Sequence, residues 1–310
     1  MTTSTPTAKS MSARPLIELA PIDRRAAAAK RRLHLSAGFL HNRNMLLGLG
    51  ILLPIVVIAF TAPWLPVADP LKNSLSDALS GPSWTHPFGT DKLGRDIFAR
   101  TIAGLKVSLI IGFAAAFLSL TIGVVMGTIA GTLGGRVDAA VSALVDVLMA
   151  FPGLLLAIVV IAVYGNGMPQ LIVALGLSST PAAIRLQRSL ALSLRSRTYM
   201  DAARMANAPL WWMLVRHVLP NTVASMVVVA TVHAANAILA ESALSFLGLG
   251  ITPPDPSLGN LVADGGDYLR EAWWISTIPG LGIALVAISL HLLADGVRER
   301  LDPSLNAVAE

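Results

Sequence analysis

The stretch V107-SLIIGFAAAFLSLTIGVVMGTIAGTLG-G135 carries no charged residue over 29 positions. A helix needs about 20 apolar residues to cross a bilayer, so this run predicts a membrane-spanning helix. Gly123, Gly127, Gly131 and Gly135 recur every fourth residue within it. On a helix that spacing makes a small-residue face, against which a second helix can approach closely. Packing is the simplest account of these glycines, and a direct place in a transport path is the alternative.

Working outward, other runs repeat the signal. Met45–Val67 is uncharged, with Pro54 placed to kink it or to sit against a neighbour. Val147–Ile184 is uncharged for 38 residues, which suits two spans joined at Tyr164–Gln170. Asp146 is expected near the start of the first of these helices, where a carboxylate suits the helix dipole. Arg185 and Arg188 are expected to reach from the second towards the interface. Thr222–Phe246 and Ala272–Ala294 complete the set, the last opening on Trp273-Trp274 as an interfacial aromatic pair. The expected fold class is therefore all-α: a polytopic membrane protein with six transmembrane helices.

Composition agrees. The 310 residues are 54% hydrophobic and 13% charged, with a mean hydropathy of +0.67. Soluble domains carry about 25% charged residues, so roughly half the usual charge is missing. The chain contains no Cys, which excludes disulfides and thiolate metal sites. Its pI near 10 does not call for nucleic acid, because the basic residues flank apolar runs, where anionic headgroups account for them. With the N-terminus inside, the inner segments hold 17 Lys and Arg against six outside, and this bias predicts an N-in, C-in topology.

The expected organisation starts with a basic cytoplasmic tail at 1–44, too long before its apolar run to be a cleaved signal peptide. The first span covers 45–67, and an external loop with an amphipathic segment covers 68–106. In that segment Ile97, Phe98, Ile102 and Leu105 fall near one side of a helix. A five-helix core at 107–296 includes a cytoplasmic loop at 187–221, and a cytoplasmic tail at 297–310 closes the chain.

That loop contains Y199-MDAARMANAPLWWMLVRHVLP-N221. Thr198 is placed to cap a short helix, with Asp201 three residues on in a near capping-box arrangement. Asn207 falls where the helix would stop in a left-handed residue, and Pro209 and Pro220 can open the helices that follow. Ala202, Ala203 and Ala206 leave a low surface, suited to entering a groove in another protein.

Within the apolar runs, the polar residues are His233, Asn236, Glu241 and His291. His233 and Glu241 lie about 80° apart around a helix. An ionisable group at that depth is a candidate for a translocation path. The equal alternative is that Glu241 is tied to a neighbouring helix. The chain has no G-x-x-x-x-G-K-[ST], no H-E-x-x-H and no G-x-S-x-G sequence. It is not expected to be an enzyme, and any ATP it depends on must be bound by another polypeptide.

The loop resembles the coupling loop of the membrane subunits of bacterial ABC importers. The matching residues are Asp201-Ala202-Ala203, Asn207 where Gly is usual, and Leu219-Pro220. His86–Asp91, Leu93–Asp96, Arg100, Ala103-Gly104 and Ser108-Leu109 resemble a signature of the dipeptide/oligopeptide/nickel branch, in its second (C-type) subunit. Glu241–Gly250 and Pro253–Ser257 resemble its late signature, with Leu258 where Trp is common. The likeness runs from about Phe39 to Pro303. It implies a multi-pass subunit of the bacterial inner membrane, paired with a second homologous permease subunit and two ATP-binding subunits. It also implies an external solute-binding protein, with ATP and Mg on the partners and no cofactor on this chain. Peptides are the implied solute, with nickel chelates or another small solute open. From the residues alone, an ion-coupled secondary transporter using His233 and Glu241 stays open, as does a purely structural membrane scaffold.

Overall fold

The computed structural model describes residues 42–64 and 67–301. The expected tail thus lies outside the described residues up to position 41, as does the last stretch from position 302. Every named element among the described residues is helical.

Helix α1, Arg43–Thr61, starts two residues inside the expected tail and runs unbroken through Pro54. Its cap is Asn42, whose side chain accepts from the Met45 amide at 3.1 Å. Residues 67–96 follow without a long helix. Helix α2, Ile97–Leu133, is a single element of 37 residues, capped by Asp96 accepting from the Ala99 amide at 2.8 Å. The expected surface-lying amphipathic segment is instead the first turns of α2. Ile97, Ile102 and Leu105 are buried, and so are Ala99, Arg100 and Thr101 on other sides of the helix. The apolar stripe faces protein: Ile97 packs with Leu261, Ala272 and Trp274, and Leu105 with Leu258.

Helix α3, Gly135–Met149, and helix α4, Gly153–Tyr164, meet at 87°. Pro152 causes the break: it donates no N–H and disfavours helical geometry in the residue before it. The expected third span is therefore a bent pair. Asp146 lies in the last turn of α3 rather than near a helix start. Helix α5, Met168–Arg195, is 28 residues long, about 42 Å, and has interior Pro181. Helix α6, Thr198–Met205, and helix α7, Leu210–Met213, are short. A wide π-type turn at Leu214–Val218 leads into helix α8, Leu219–Phe246. Helix α9, Leu258–Gly266, and helix α10, Trp274–Leu301, complete the set. Four stretches are long and apolar enough to cross a membrane: Arg43–Trp64, Ile97–Leu133, Leu210–Phe246 and Trp274–Arg300. The α3–α4 pair makes up to five.

Helix α2 is the centre of the bundle. On one side Leu105, Leu109 and Ala116 pack with Leu52 and Ala59 of α1, Ile238 of α8 and Leu290 of α10. On another, Ile111 and Ala115 pack with Ile161 of α4, Leu171 and Leu175 of α5, and Leu244 of α8. The two ends of the bundle are distinguishable by their contacts. Asn42 and Asn44 donate to Glu299 at 2.6 and 3.0 Å, so α1 begins where α10 ends. At the opposite end Trp274 Nε1 donates to the Thr90 carbonyl at 3.1 Å, so α10 begins beside the 67–96 segment.

Candidate functional site

Helix α6 sits on a small cluster of its own: buried Met200, Met213, Val218 and Ala191 of α5, with Ala203 and Ala208 packed against them. Ala203 is thus half-buried against its own chain, whereas Asp201, Ala202, Met205 and Ala206 are exposed. The free face is Ala202–Met205–Ala206. The helix ends in a Schellman arrangement: the Ala208 amide donates to the Ala203 carbonyl at 3.0 Å, and the Asn207 amide to the Arg204 carbonyl at 2.9 Å. Asn207 has φ +52, the left-handed conformation read from the sequence. The start differs by one residue. Arg197 is the cap, Thr198 is the first helical residue, and the side chain of the cap makes no hydrogen bond. Asp201 pairs instead with Arg204 at 3.0 Å, at the surface.

Pro209 caps α7 rather than opening it, and Pro220 is the second residue of α8. Pro220 cannot donate to residue 216, and its ring would crowd that carbonyl in a regular helix. The widened turn at Leu214–Val218 relieves that conflict and keeps α7 and α8 one continuous rod. Asn221 Nδ2 donates to the His217 carbonyl at 2.6 Å, and the His217 ring lies 4.9 Å from that of Trp212 and 5.6 Å from that of Tyr199.

Beneath this platform, α2, α5 and α8 are tied together. Gln187 Nε2 donates to Thr128 Oγ1 at 2.7 Å and to Thr222 Oγ1 at 3.1 Å, all three side chains being buried. Around this knot runs the glycine face. A Cβ on Gly123 would lie 2.5 Å from Ala183 Cβ. On Gly127 it would lie 2.7 Å from the Ile184 carbonyl oxygen, and on Gly131 2.7 Å from the Arg188 carbonyl oxygen. Gly123, Gly127 and Gly131 therefore face α5 of the same chain. Gly135 does not join them. It lies past the end of α2 at φ +57, with nothing within 4 Å of its Cβ position. Arg188 pairs with Asp138, and Arg185 with Asp146 at 2.6 Å, so both arginines bridge to α3. These cross-links were not legible in the sequence, because the partners lie 35 to 59 residues apart.

The three polar residues of α8 do not form one surface. Glu241 is fully buried and accepts from Ser108 at 2.7 Å, Ser245 at 2.8 Å and Ser242 at 3.4 Å. His233 Nδ1 lies 3.2 Å from Ser119 Oγ of α2. Asn236, one turn on from His233, is exposed. The loop after α8 closes over Glu241: Ser245 Oγ also accepts from the Ile251 amide at 3.3 Å, and Asn260 Nδ2 donates to the Ile251 carbonyl at 2.6 Å.

At the opposite end from α6, the 67–96 segment is built around Asp91. Its carboxylate takes Arg95 Nε at 2.6 Å and the amides of Leu93 and Arg95 at 2.8 and 2.9 Å. Arg100 Nη1 donates to the Pro70 carbonyl at 3.2 Å, and His86 Nδ1 lies 2.8 Å from Asp96 Oδ2. Of the residues that resemble a branch signature, His86–Asp91 and Leu93–Asp96 form a folded cap over the start of α2, and those from Arg100 to Leu109 belong to α2 itself.

Long apolar helices around a polar-knotted centre, with a short exposed helix at one end, define a membrane-protein architecture. Residues 123–307 match the family described as "Binding-protein-dependent transport system inner membrane component", and the chain belongs to that family. It is 38% identical over 277 residues to the di/tripeptide transport system permease protein DppC of Pseudomonas aeruginosa, covering 87% of this chain and 91% of that one. It is 42% identical over 252 residues to the glutathione transport system permease protein GsiD of Shigella flexneri, covering 81% and 83%. The chain is accordingly a permease component and not a catalytic subunit.

Proposed function

We propose that this chain is one of two permease subunits of an ATP-driven importer for di- or oligopeptides in a bacterial inner membrane. On this reading it crosses the membrane six times, with both termini inside, and α5 serves as the fourth span despite Arg185 and Arg188. Contacts that place the start of α1 beside the end of α10 support an even number of crossings. An ATP-binding partner receives the Ala202–Met205–Ala206 face. A second permease subunit completes the path, an external binding protein delivers the solute, and ATP and Mg are bound by the partners.

The observation that carries this reading is the mounting of α6. It is exposed on one face, fixed by a Schellman turn, and joined through the π-type turn to the rod of α8. Displacement of α6 therefore moves α8 directly and reaches α5 through Ala191 and Gln187, the rigid-body transmission that a coupling element requires. Glu241, enclosed by three serines, fits a structural knot better than a proton-handling group exposed to a path. The test is peptide uptake by the reconstituted complex. Uptake should require ATP inside the vesicles and collapse without it. Uptake driven by a proton gradient alone would overturn the reading.

A further inference from the structure

A cavity of about 320 Å³ opens at the end of the bundle opposite α6. Its apolar wall includes Val107 and Ile110 of α2, Met168 of α5, and Ile251 and Pro256 of the loop after α8. Two charges of opposite sign also line it, Lys106 and Asp255. Neither forms an ion pair among the described residues. Lys106 Nζ stands 6.0 Å from the centroid of the Phe60 ring, a contact that holds the ammonium without neutralising it. Behind the wall at Gly167 lies a polar group that does not line the cavity. Gln170 Oε1 is buried with no hydrogen-bond partner, 2.6 Å from where a Cβ on Gly167 would be.

The loop carrying Asp255 is held in place. Ile251 is bonded to Ser245 and Asn260, and Asn166 Nδ2 donates to the Gly248 carbonyl at 3.2 Å. One cation and one carboxylate beside an apolar wall match a small zwitterion with an apolar body.

We propose that this cavity receives the charged ends of a di- or tripeptide. Lys106 Nζ binds the carboxylate, Asp255 binds the ammonium, and Val107, Ile110 and Met168 take the side chains. This inference rests on the peptide reading above, and it gives this chain a part in choosing the solute.

The test uses the whole importer in vesicles, with dialanine, N-acetyl-dialanine and dialanine amide as probes. Discrimination by the binding protein multiplies wild type and variant alike, so it cancels in their ratio for each probe. Lys106→Gln should lower kcat/KM about tenfold for dialanine and its N-acetyl form, and change the amide by less than about twofold. Asp255→Asn should do the reverse, lowering dialanine and the amide and sparing the N-acetyl form. Equal effects on all three probes, or none, overturn the cavity assignment while leaving the peptide reading intact. Equal loss with a reduced yield of complex means that the partner subunit fills the cavity. Should wild type take up none of the three, the peptide reading fails, and the cavity assignment with it. Where the capped probes are not delivered, equilibrium dialysis of labelled dialanine against the complex without its binding protein decides. Binding weakened by either substitution supports the site, and binding that is absent or unchanged by both overturns it.

Discussion

Replacing Gly127 with Ala is the sharpest test of the bundle. The added Cβ would stand 2.7 Å from the Ile184 carbonyl oxygen, 2.8 Å from Gln187 Cβ and 2.9 Å from the Arg188 amide nitrogen. All three belong to the backbone of α5 or to the first atom of a side chain, so no rotamer change gives relief. To restore an ordinary contact of about 3.4 Å, the helices must separate locally by about 0.7 Å. The Gln187–Thr128 bond, 2.7 Å long, spans the same gap and is stretched with it. Overpacking of this kind costs about 1–3 kcal/mol, and the weakened buried bond adds about 1 kcal/mol. Against this, Ala favours a helix over Gly by about 1 kcal/mol. The net expectation is a loss of about 1–3 kcal/mol, read as a lower midpoint when the purified complex is heated in detergent. Gly50→Ala is the control: Gly50 lies within α1 with nothing within 4 Å of its Cβ position, and stability should hold or rise. A Gly127→Ala complex as stable as the Gly50→Ala complex would refute the close-contact argument.

Other expectations concern both ends of the molecule. Ala206→Trp, on the exposed face of α6, should reduce co-purified ATPase or uncouple hydrolysis from uptake while insertion stays normal. Ala203→Trp, which must displace Met200 or Met213, should also lower thermal stability; equal stability of the two variants would contradict the burial difference. Asn207→Gly should be tolerated, whereas Asn207→Val should cost about 1–2 kcal/mol through left-handed strain and weaken coupling, measured as solute-stimulated ATPase activity. Glu241→Ala strands three serine hydroxyls and should cost about 1–3 kcal/mol in stability. Glu241→Gln should keep most stability and transport, and loss of transport at full stability would assign Glu241 to the path after all. Reporter fusions after Gly135 and Arg197 should read cytoplasmic, and those near Ser80 and Asp264 external; a reversed loop would end the N-in arrangement.

Several features followed from local chemistry alone and could be read from the linear order of residues. Uncharged runs such as Val107–Gly135 have few alternatives to a membrane helix, because only internal hydrogen bonding satisfies their backbone in lipid. Asn207 ends α6 because few side chains tolerate φ +52, a constraint local to one residue. The four-residue glycine spacing exposes a small face on any helix, whatever lies opposite. What lies opposite was settled only by tertiary structure. Gly123, Gly127 and Gly131 meet α5 of the same chain, while Gly135 is out of register because α2 ends before it. The Ile97–Leu105 periodicity is amphipathic in isolation, yet the fold buries those turns, since a hydrophobic stripe does not say whether lipid or protein covers it. The uncharged run from Val147 reads as continuous through Pro152, and the 87° bend there depends on how α3 and α4 dock. Glu241 and its serine partner Ser108 are 133 residues apart, and nothing local to either names the other. Chain-local constraints are written in neighbouring residues, whereas the pairing of buried polar groups exists only once the helices have packed.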